Sequence, residues 1–442
     1  WKNGAETRMA RLGRRIVADL SLFVAVSAAC TLGTLPFIVY YFNRISNITL
    51  AANLVLVPIL GFVVLPFAML LIVVAPLFPV LSALLIDITT VLTRLCLDIN
   101  DWFAALPGSS SIVTTPTIPE LAAYYVILIS AALLMGLPGR TTWDVHVFWT
   151  RRKLSVAMAL AVLFLVGDMA WLHQKLQNRE TLRVTFLNVG HASATLVEFP
   201  GGHRMLVDGG GSYDDRFDVG RYVVAPFLWH ERIGKIDTVA LTHPHPDHVN
   251  GLPYILDNFD VKEVWSNGDE AIVHWGAAFA DKIRQKGIAH RLLTSKSAPI
   301  DIGGVRISIL NPGKGPPADT ELDDREINER ALVMQLRWHE AVFLLPGDIG
   351  EPTERVLTDR YRTLASGVLL APHHGSAYSS SQPFLRAVRP ETIVISTGRP
   401  VREDALERFR KTGAALYRTD VHGAIRITTD GRRYEVVPLK SP

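Results

Sequence analysis

Cysteine is almost absent. The 442-residue chain has two, Cys30 and Cys96, both in apolar stretches; they read as small buried hydrophobes. No disulfide framework can therefore hold the second half together, and any metal there must be held by histidine and carboxylate. A GxxxxGK[ST] phosphate loop is also missing, so energy for any transport is expected from a partner or from the membrane potential. Net charge is missing from the second half: residues 1–174 take 11 of the 45 Lys and Arg and 8 of the 42 Asp and Glu, leaving 34 of each beyond them. That balance removes the argument a strongly basic domain would make for nucleic acid. Phosphate contact would fall to local groups such as Arg216, Arg221, Arg399 and Arg402. The opening WKNGAETRMARLGRR has neither an initiator Met nor a signal-peptide pattern and reads as part of a longer protein.

Apolar residues make up 49% of the chain and the mean hydropathy is +0.22, with the excess ahead of about Leu172. Runs approaching the roughly 20 residues that span a bilayer fall near 17–41, 51–79, 81–105, 121–138 and 154–172. Lys2, Arg8, Arg11, Arg14 and Arg15 precede the first, and Arg140, Arg151, Arg152 and Lys153 fill the loop before the last. By the positive-inside rule both flanks are cytoplasmic, and the chain after about Gln174 is expected outside the cytoplasmic membrane. Within ISNITLAANLVLVPILGFVVLPFAMLL, residues Asn53, Pro58, Gly61 and Pro66 are expected to break or kink a helix, which reads either as part of a transport path or as a kinked helix packed on its neighbours. Asp87 and Asp98 are ionisable groups at membrane depth and join the pathway candidates.

From Leu182 the pattern changes to short runs bounded by Gly and Pro: LRVTFLNVG, ATLVEF, RMLVDGGG, TVALTHPH, VRISILNPG, ALVMQLRW, AVFLLPGD, GVLLAPHHG, TIVISTG, AIRITTD and RYEVVPL. These are expected strands. Helices are expected at Glu270–Lys286, Pro352–Leu364 and Glu403–Thr412, giving layered sheets with outer helices.

The strand TVALT runs straight into HPHPDHVNG. Pro244 and Pro246 stop the strand, and in the extended turn His243 and His245 can share one metal while Asp247 and His248 turn toward a second. Imidazole with carboxylate suits zinc or manganese. Other apparent strands end on Asp208, on Asp348 and on His373 and His374. An Asp before Gly is ordinarily a turn former, but four polar strand endings in order point to one site.

This ordered set resembles the metallo-beta-lactamase superfamily, which implies an αββα sandwich with the site along one edge. The resemblance implies two divalent ions, Mn2+ or Zn2+, with His243 and His245 on the first. It places Asp247 and His248 on the second, Asp348 bridging, and a PHHG histidine, His374 in preference to His373, on the second. Asp247, His248 and Asp348 would form the catalytic core, and Asp208 would orient the site. A third histidine for the first metal is not evident: His274 and His290 fall on or near expected helices and His339 in a hairpin turn. Asn328, in INERALVMQL, is the polar candidate in register.

The whole pattern, FNRISNITLAANLVLVPILGFVVLP followed by FLNVGHASATLVEF, VDGGG, LTHPHPDHVNGLPYIL, LLPGDI and LLAPHHGSAYSSSQPFLRAVRPETIVIST, resembles the ComEC-type family of DNA internalisation proteins of natural competence. The resemblance implies an α-helical multi-span membrane region (1–174) and a hydrolase domain (178–442). The membrane region would pass one DNA strand inward, with Asn53 to Pro66 on its path. The hydrolase would degrade the other strand outside the cytoplasmic membrane. Implied partners are single- and double-stranded DNA, the membrane, a DNA receptor and a cytoplasmic helicase motor. Where the family often shows DVGQGDA this chain has NVGHASA, which makes His191 either new chemistry or a turn histidine. SAYSSS after PHHG offers hydroxyls to phosphate or a cap to the next helix. Two other functions stay open: a membrane-anchored hydrolase of a non-DNA phosphodiester, which the neutral domain favours, and a non-catalytic DNA-gripping module.

Overall fold

The computed structural model describes residues 8–136, 145–177, 179–214, 216–317 and 322–439. Lys2, Arg140 and residue 178, used above for charge placement and for a domain boundary, lie outside them. The chain divides into two compact units, residues 1–166 and 167–442.

The first unit is helical: α1 (Arg8–Phe42), α2 (Thr49–Ile59), α3 (Leu65–Val74), α4 (Pro79–Ala105), α5 (Ile118–Gly136) and α6 (Val145–Gln177), the last running across the division. Among the described residues five stretches are long and apolar enough to cross a bilayer: Arg11–Phe42, Thr49–Val74, Pro79–Ala105, Ile118–Gly136 and His146–Leu172. They correspond to the five runs read from the sequence. Short strands β1 (Arg44–Ser46) and β2 (Ser110–Ile112) pair antiparallel between helix ends, beside Asn43, whose Nδ2 donates to Thr115 Oγ1 at 2.8 Å. The expected break takes a milder form. A single π-helical turn, Leu60–Val64, joins α2 to α3, so the path stays helical from Thr49 to Val74. Pro58 and Pro66 each remove a backbone donor on either side of Gly61, and the widened turn between them accommodates the loss. Asn53 is tied to α1 through a 3.0 Å bond from Nδ2 to Ser27 Oγ, and Asp87 lies on an exposed face of α4.

The second unit is the αββα sandwich. Its strands are β3 (Leu182–Phe186), β4 (Thr195–Glu198), β5 (Arg204–Val207), β6 (Lys235–Ala240), β7 (Asp260–Ser266), β8 (Ala289–Leu292), β9 (Ile300–Ile302), β10 (Val305–Asn311), β11 (Val333–Trp338), β12 (Ala341–Leu345), β13 (Val368–Leu370), β14 (Thr392–Ile395), β15 (Ala415–Arg418), β16 (Ala424–Thr429) and β17 (Tyr434–Leu439). One sheet is ordered β17-β16-β3-β4-β5-β6-β7-β8 and the other β15-β14-β13-β12-β11-β10-β9.

Period-2 alternation decides what each residue covers. In β12 to β14, Phe343, Leu345, Val368, Leu370 and Val394 face the other sheet and join Phe186, Phe199 and Trp265 in the central core. Their neighbours Leu344, Leu369, Ile393 and Ile395 face outward onto Leu357, Phe384, Leu385 and Phe409. Those four belong to the helices Glu351–Arg360, Gln382–Val388 and Glu403–Arg410, which connect the parallel strands β12 to β15. Strands buried on both faces read as continuous apolar runs, as AVFLL and TIVI do.

Three sequence expectations need correction. The helix expected at Glu270–Lys286 is two 3₁₀ turns followed by a helix only from Ala277, because Gly276 packs so closely on Glu270 that a Cβ would meet its Cα at 2.5 Å. The strands β7, β8, β9 and β15 were not among the expected runs. His290 stands on β8 rather than on a helix, with Nε2 2.9 Å from Ser266 Oγ.

Candidate metal centre

The polar groups flagged above sit just past strand ends: Asp208 after β5, His243 to His248 after β6, Asp348 after β12, His373 and His374 after β13. Glycine lets these turns close on one another. At Gly211, with φ +152°, a Cβ would meet Pro246 O at 2.0 Å; Gly209 N donates to His248 O and Gly251 N to Gly210 O, at 2.8 and 2.9 Å. Pro246 then starts a short helix, Pro246–Val249, that carries Asp247 and His248, and the His248 ring packs on that of His243 at 4.1 Å.

Asp247, His248, Asp348 and His374 are all buried, with one ligand atom of each within 4.8 Å of the others. His248 Nε2 lies 3.3 Å from Asp348 Oδ1, and His374 Nε2 lies 3.3 Å from Asp247 Oδ2 and 3.5 Å from Asp348 Oδ2. Yet Asp247 Oδ1, His248 Nε2 and His374 Nε2 are buried without a hydrogen bond. Polar atoms so placed are costly unless something satisfies them.

The outer ring nitrogens explain which atoms are turned inward. His248 Nδ1 lies 2.8 Å from Asp208 Oδ2, and Asp208 is itself fixed by Thr242 N and Oγ1 at 2.8 and 2.9 Å. His374 Nδ1 donates to Ser396 O at 2.9 Å. His243 Nδ1 is 3.0 Å from Thr242 Oγ1, and its Nε2 comes within 3.1 Å of His245 Nδ1. The other nitrogen of His245, Nε2, is buried without a hydrogen bond, 4.0 Å from Asp324 Oδ1. A second layer that engages one imidazole nitrogen and leaves the other bare is the usual support of a metal-bound histidine.

Electrostatics agree with this division. Burial alone would push His248 down, but Asp348 and Asp208 hold it well above the ordinary imidazole value. His374 is raised against burial by Asp348 and Asp247. Burial would raise Asp348, and His248 and His374 pull it well below the carboxylate range; burial would raise Asp247 too, and His248, then His374, lower it. Burial keeps His243 and His245 below their ordinary values. The donor set, two carboxylates and imidazoles with bare nitrogens, fits divalent metal.

The other flagged residues fall around this centre. Asp208 lies behind His248 with φ 60° and reaches His248 and Thr242. His373 is outside the four-residue group, its ring 6.4 Å from that of His374. Asn328 lies in the last turn of the helix Asp324–Glu329, whose capping box joins Asp323 and Glu326. Its Oδ1 is buried without a partner, and it lines a cavity together with Asp348. His191 packs at 4.9 Å against the His374 ring, and its pKa is lowered to about 4, by burial first and then by His374. Ser381 caps the helix Gln382–Val388, accepting from Phe384 N.

Sequence reasoning missed the supporting groups Thr242 and Ser396, and the approach of Asp324 to His245. Thr242 adjoins His243 and Ser396 ends the run TIVIS, so polarity at a strand end was their only signal. Asp324 stands four residues before Asn328, on the same helix face.

Residues 2–138 match the family described as Competence protein, and residues 187–399 match the metallo-beta-lactamase superfamily. The chain is 24% identical over 446 residues to "ComE operon protein 3" of Bacillus subtilis (strain 168), covering 93% of this chain and 52% of that protein. It is 26% identical to "Competence protein ComA" of Neisseria gonorrhoeae, over 90% of this chain and 50% of that one. "Recombination protein 2" of Haemophilus influenzae is 26% identical, over 59% and 30%. The chain thus spans about half the length of the first two relatives.

Proposed function

We propose, for a chain that carries a Competence protein domain followed by a metallo-beta-lactamase superfamily domain, a role as a DNA-uptake channel component of natural transformation. In this reading the helical unit passes one strand inward, and the sandwich, outside the cytoplasmic membrane, hydrolyses phosphodiesters of the strand that is not transported. The observation that carries the hydrolytic half is the inward turn of buried, unbonded Asp247 Oδ1, His248 Nε2 and His374 Nε2 beside Asp348.

His243 and His245 would hold one divalent ion and Asp247, His248 and His374 a second, with Asp348 between them. Bound there, divalent ions supply an acidified water and neutralise charge that develops on phosphate. The chain's own residues do the rest. Asp208 and Ser396 fix the rings of His248 and His374, and Thr242 that of His243. His191 stays neutral at physiological pH beside the site, so it adds no cation that would compete with metal.

The orientation rests on Arg11, Arg14 and Arg15 at the start of the first span and Arg151, Arg152 and Lys153 near the start of the last. A DNA receptor and a cytoplasmic motor would complete the apparatus. The test is DNA cleavage by the full chain in lipid vesicles, with Mn2+, Zn2+ or chelator, beside Asp247→Ala. Metal-dependent cleavage lost in the variant supports the reading. Metal-dependent turnover of a non-nucleic-acid phosphodiester, with DNA untouched, transfers it to the neutral-domain alternative.

A further inference from the structure

Two cavities meet at the metal centre. One, of about 880 Å³, has Asp348 in its wall with Arg325 and Tyr378. The other, of about 780 Å³, has Asp247 and His374 with Arg399 and Tyr213. His373 lines both. Each side of the centre therefore carries one tyrosine and at least one arginine, the first cavity adding Arg355 to Arg325.

Both tyrosines are unusually bare and yet held. Tyr378 is 81% exposed and Tyr213 is 64% exposed. Tyr213 stands edge-on to Trp275 at 5.7 Å, and Trp275 packs on His245 at 5.3 Å. Tyr378 rides the loop from PHHG to the helix Gln382–Val388. Arg408 Nη2 donates to that loop's carbonyls at Ser376, Ala377 and Ser379 over 3.2–3.3 Å. The buried Glu354 carboxylate accepts from the amides of Ser380 and Ser381. A rigid aromatic face left open beside a polar cleft is what a stacked nucleobase needs, and an arginine beside it suits a phosphate.

We propose that the two cavities are nucleotide subsites on either side of the bond that is cut. The substrate is then an unpaired polynucleotide strand lying across the centre, with one base on Tyr213 and one on Tyr378, and cleavage is internal. This rests on the phosphodiesterase reading above. The strand is unpaired because a duplex covers both faces of each base with its neighbours. Cleavage is internal because a matching subsite continues the path on both sides. In the reaction a water oxygen bonds to phosphorus as the ester P–O bond breaks. One product keeps the phosphate, and the other leaves with a hydroxyl that has taken up a proton from the water.

The test uses the full chain in lipid nanodiscs with a circular single-stranded DNA, a linear one, and phosphorothioate 12-mers with and without bases. The circle is expected to be cut. Tyr213→Ala and Tyr378→Ala each weaken binding of the base-bearing 12-mer by about 5- to 100-fold. Binding of the abasic 12-mer stays the same, and Tyr→Phe restores the base-bearing one. Equal metal content across variants shows the fold intact. An uncut circle beside a degraded linear strand overturns the inference, as does unchanged base-bearing binding in both alanine variants. If the wild-type chain cuts neither DNA with any metal, the phosphodiesterase reading itself fails.

Discussion

The two units handle polar groups in opposite ways. In the helical unit polar side chains such as Asn53 and Tyr125 find partners across helices, on Ser27 Oγ at 3.0 Å and on Gly33 O at 2.8 Å. Its Asp87 lies on an exposed face. In the sandwich, polar residues are taken out of solvent at the ends of β6, β12 and β13, and Asp247 Oδ1, His248 Nε2 and His374 Nε2 are left bare there. Burying a polar atom without a partner is expensive, so a fold that does it several times in one place marks a site. A lone ionisable residue on an apolar helix does not carry the same weight.

That contrast sets the order of expected effects. Asp247→Ala should lower metal-dependent hydrolysis by on the order of a thousandfold, the loss of several kcal/mol of transition-state stabilisation, while Asn53→Ala leaves the hydrolysis rate unchanged; initial rates on one substrate decide both. Phe343→Ala, in the fully buried core between the sheets, should cost the sandwich about 3–5 kcal/mol. Phe62→Ala, at a position 81% exposed in the helical unit, should cost under about 1 kcal/mol; denaturant midpoints of the two variants make the comparison. Asp208→Asn keeps the shape but removes the charge behind His248, so metal affinity should fall by roughly 10- to 100-fold, as a competing chelator would show.

Acid should act on the same centre in a fixed direction. Without metal, His248 and His374 hold protons above the ordinary imidazole range, and metal must displace them. The folded, metal-free sandwich gains from those protons below the unfolded imidazole pKa and loses the gain as pH rises through the raised values. Apparent metal affinity should therefore climb, and the stabilisation by metal should grow, as pH increases above about 6.5; calorimetric titrations at several pH values would read the slope.

Much of this was legible because the chemistry sits where strands stop. HPHPDH follows TVALT without a gap, and Asp348 and His374 end continuous apolar runs. The five membrane runs were legible from length and apolarity alone. The π turn at Leu60–Val64 was not, because Pro58, Gly61 and Pro66 signal disruption without saying whether a helix breaks or only widens. Strands such as β8, AHRL, and β15, ALYR, escaped because they sit at or beside a sheet edge with little burial and so lack alternation. The approach of Asp324 to within 4.0 Å of His245 depends on how the helix Asp324–Glu329 returns to the centre, a tertiary fact that local spacing does not carry.

Metal content of the purified full chain, measured by mass spectrometry after dialysis against Mn2+ and against Zn2+ and compared with Asp348→Asn and Asp87→Asn, puts the centre itself to the test. About two ions per chain in the wild type and in Asp87→Asn, with the complement lost in Asp348→Asn, is the expected result. Equal metal in all three chains, or none in any, would contradict a metal centre built from these buried groups.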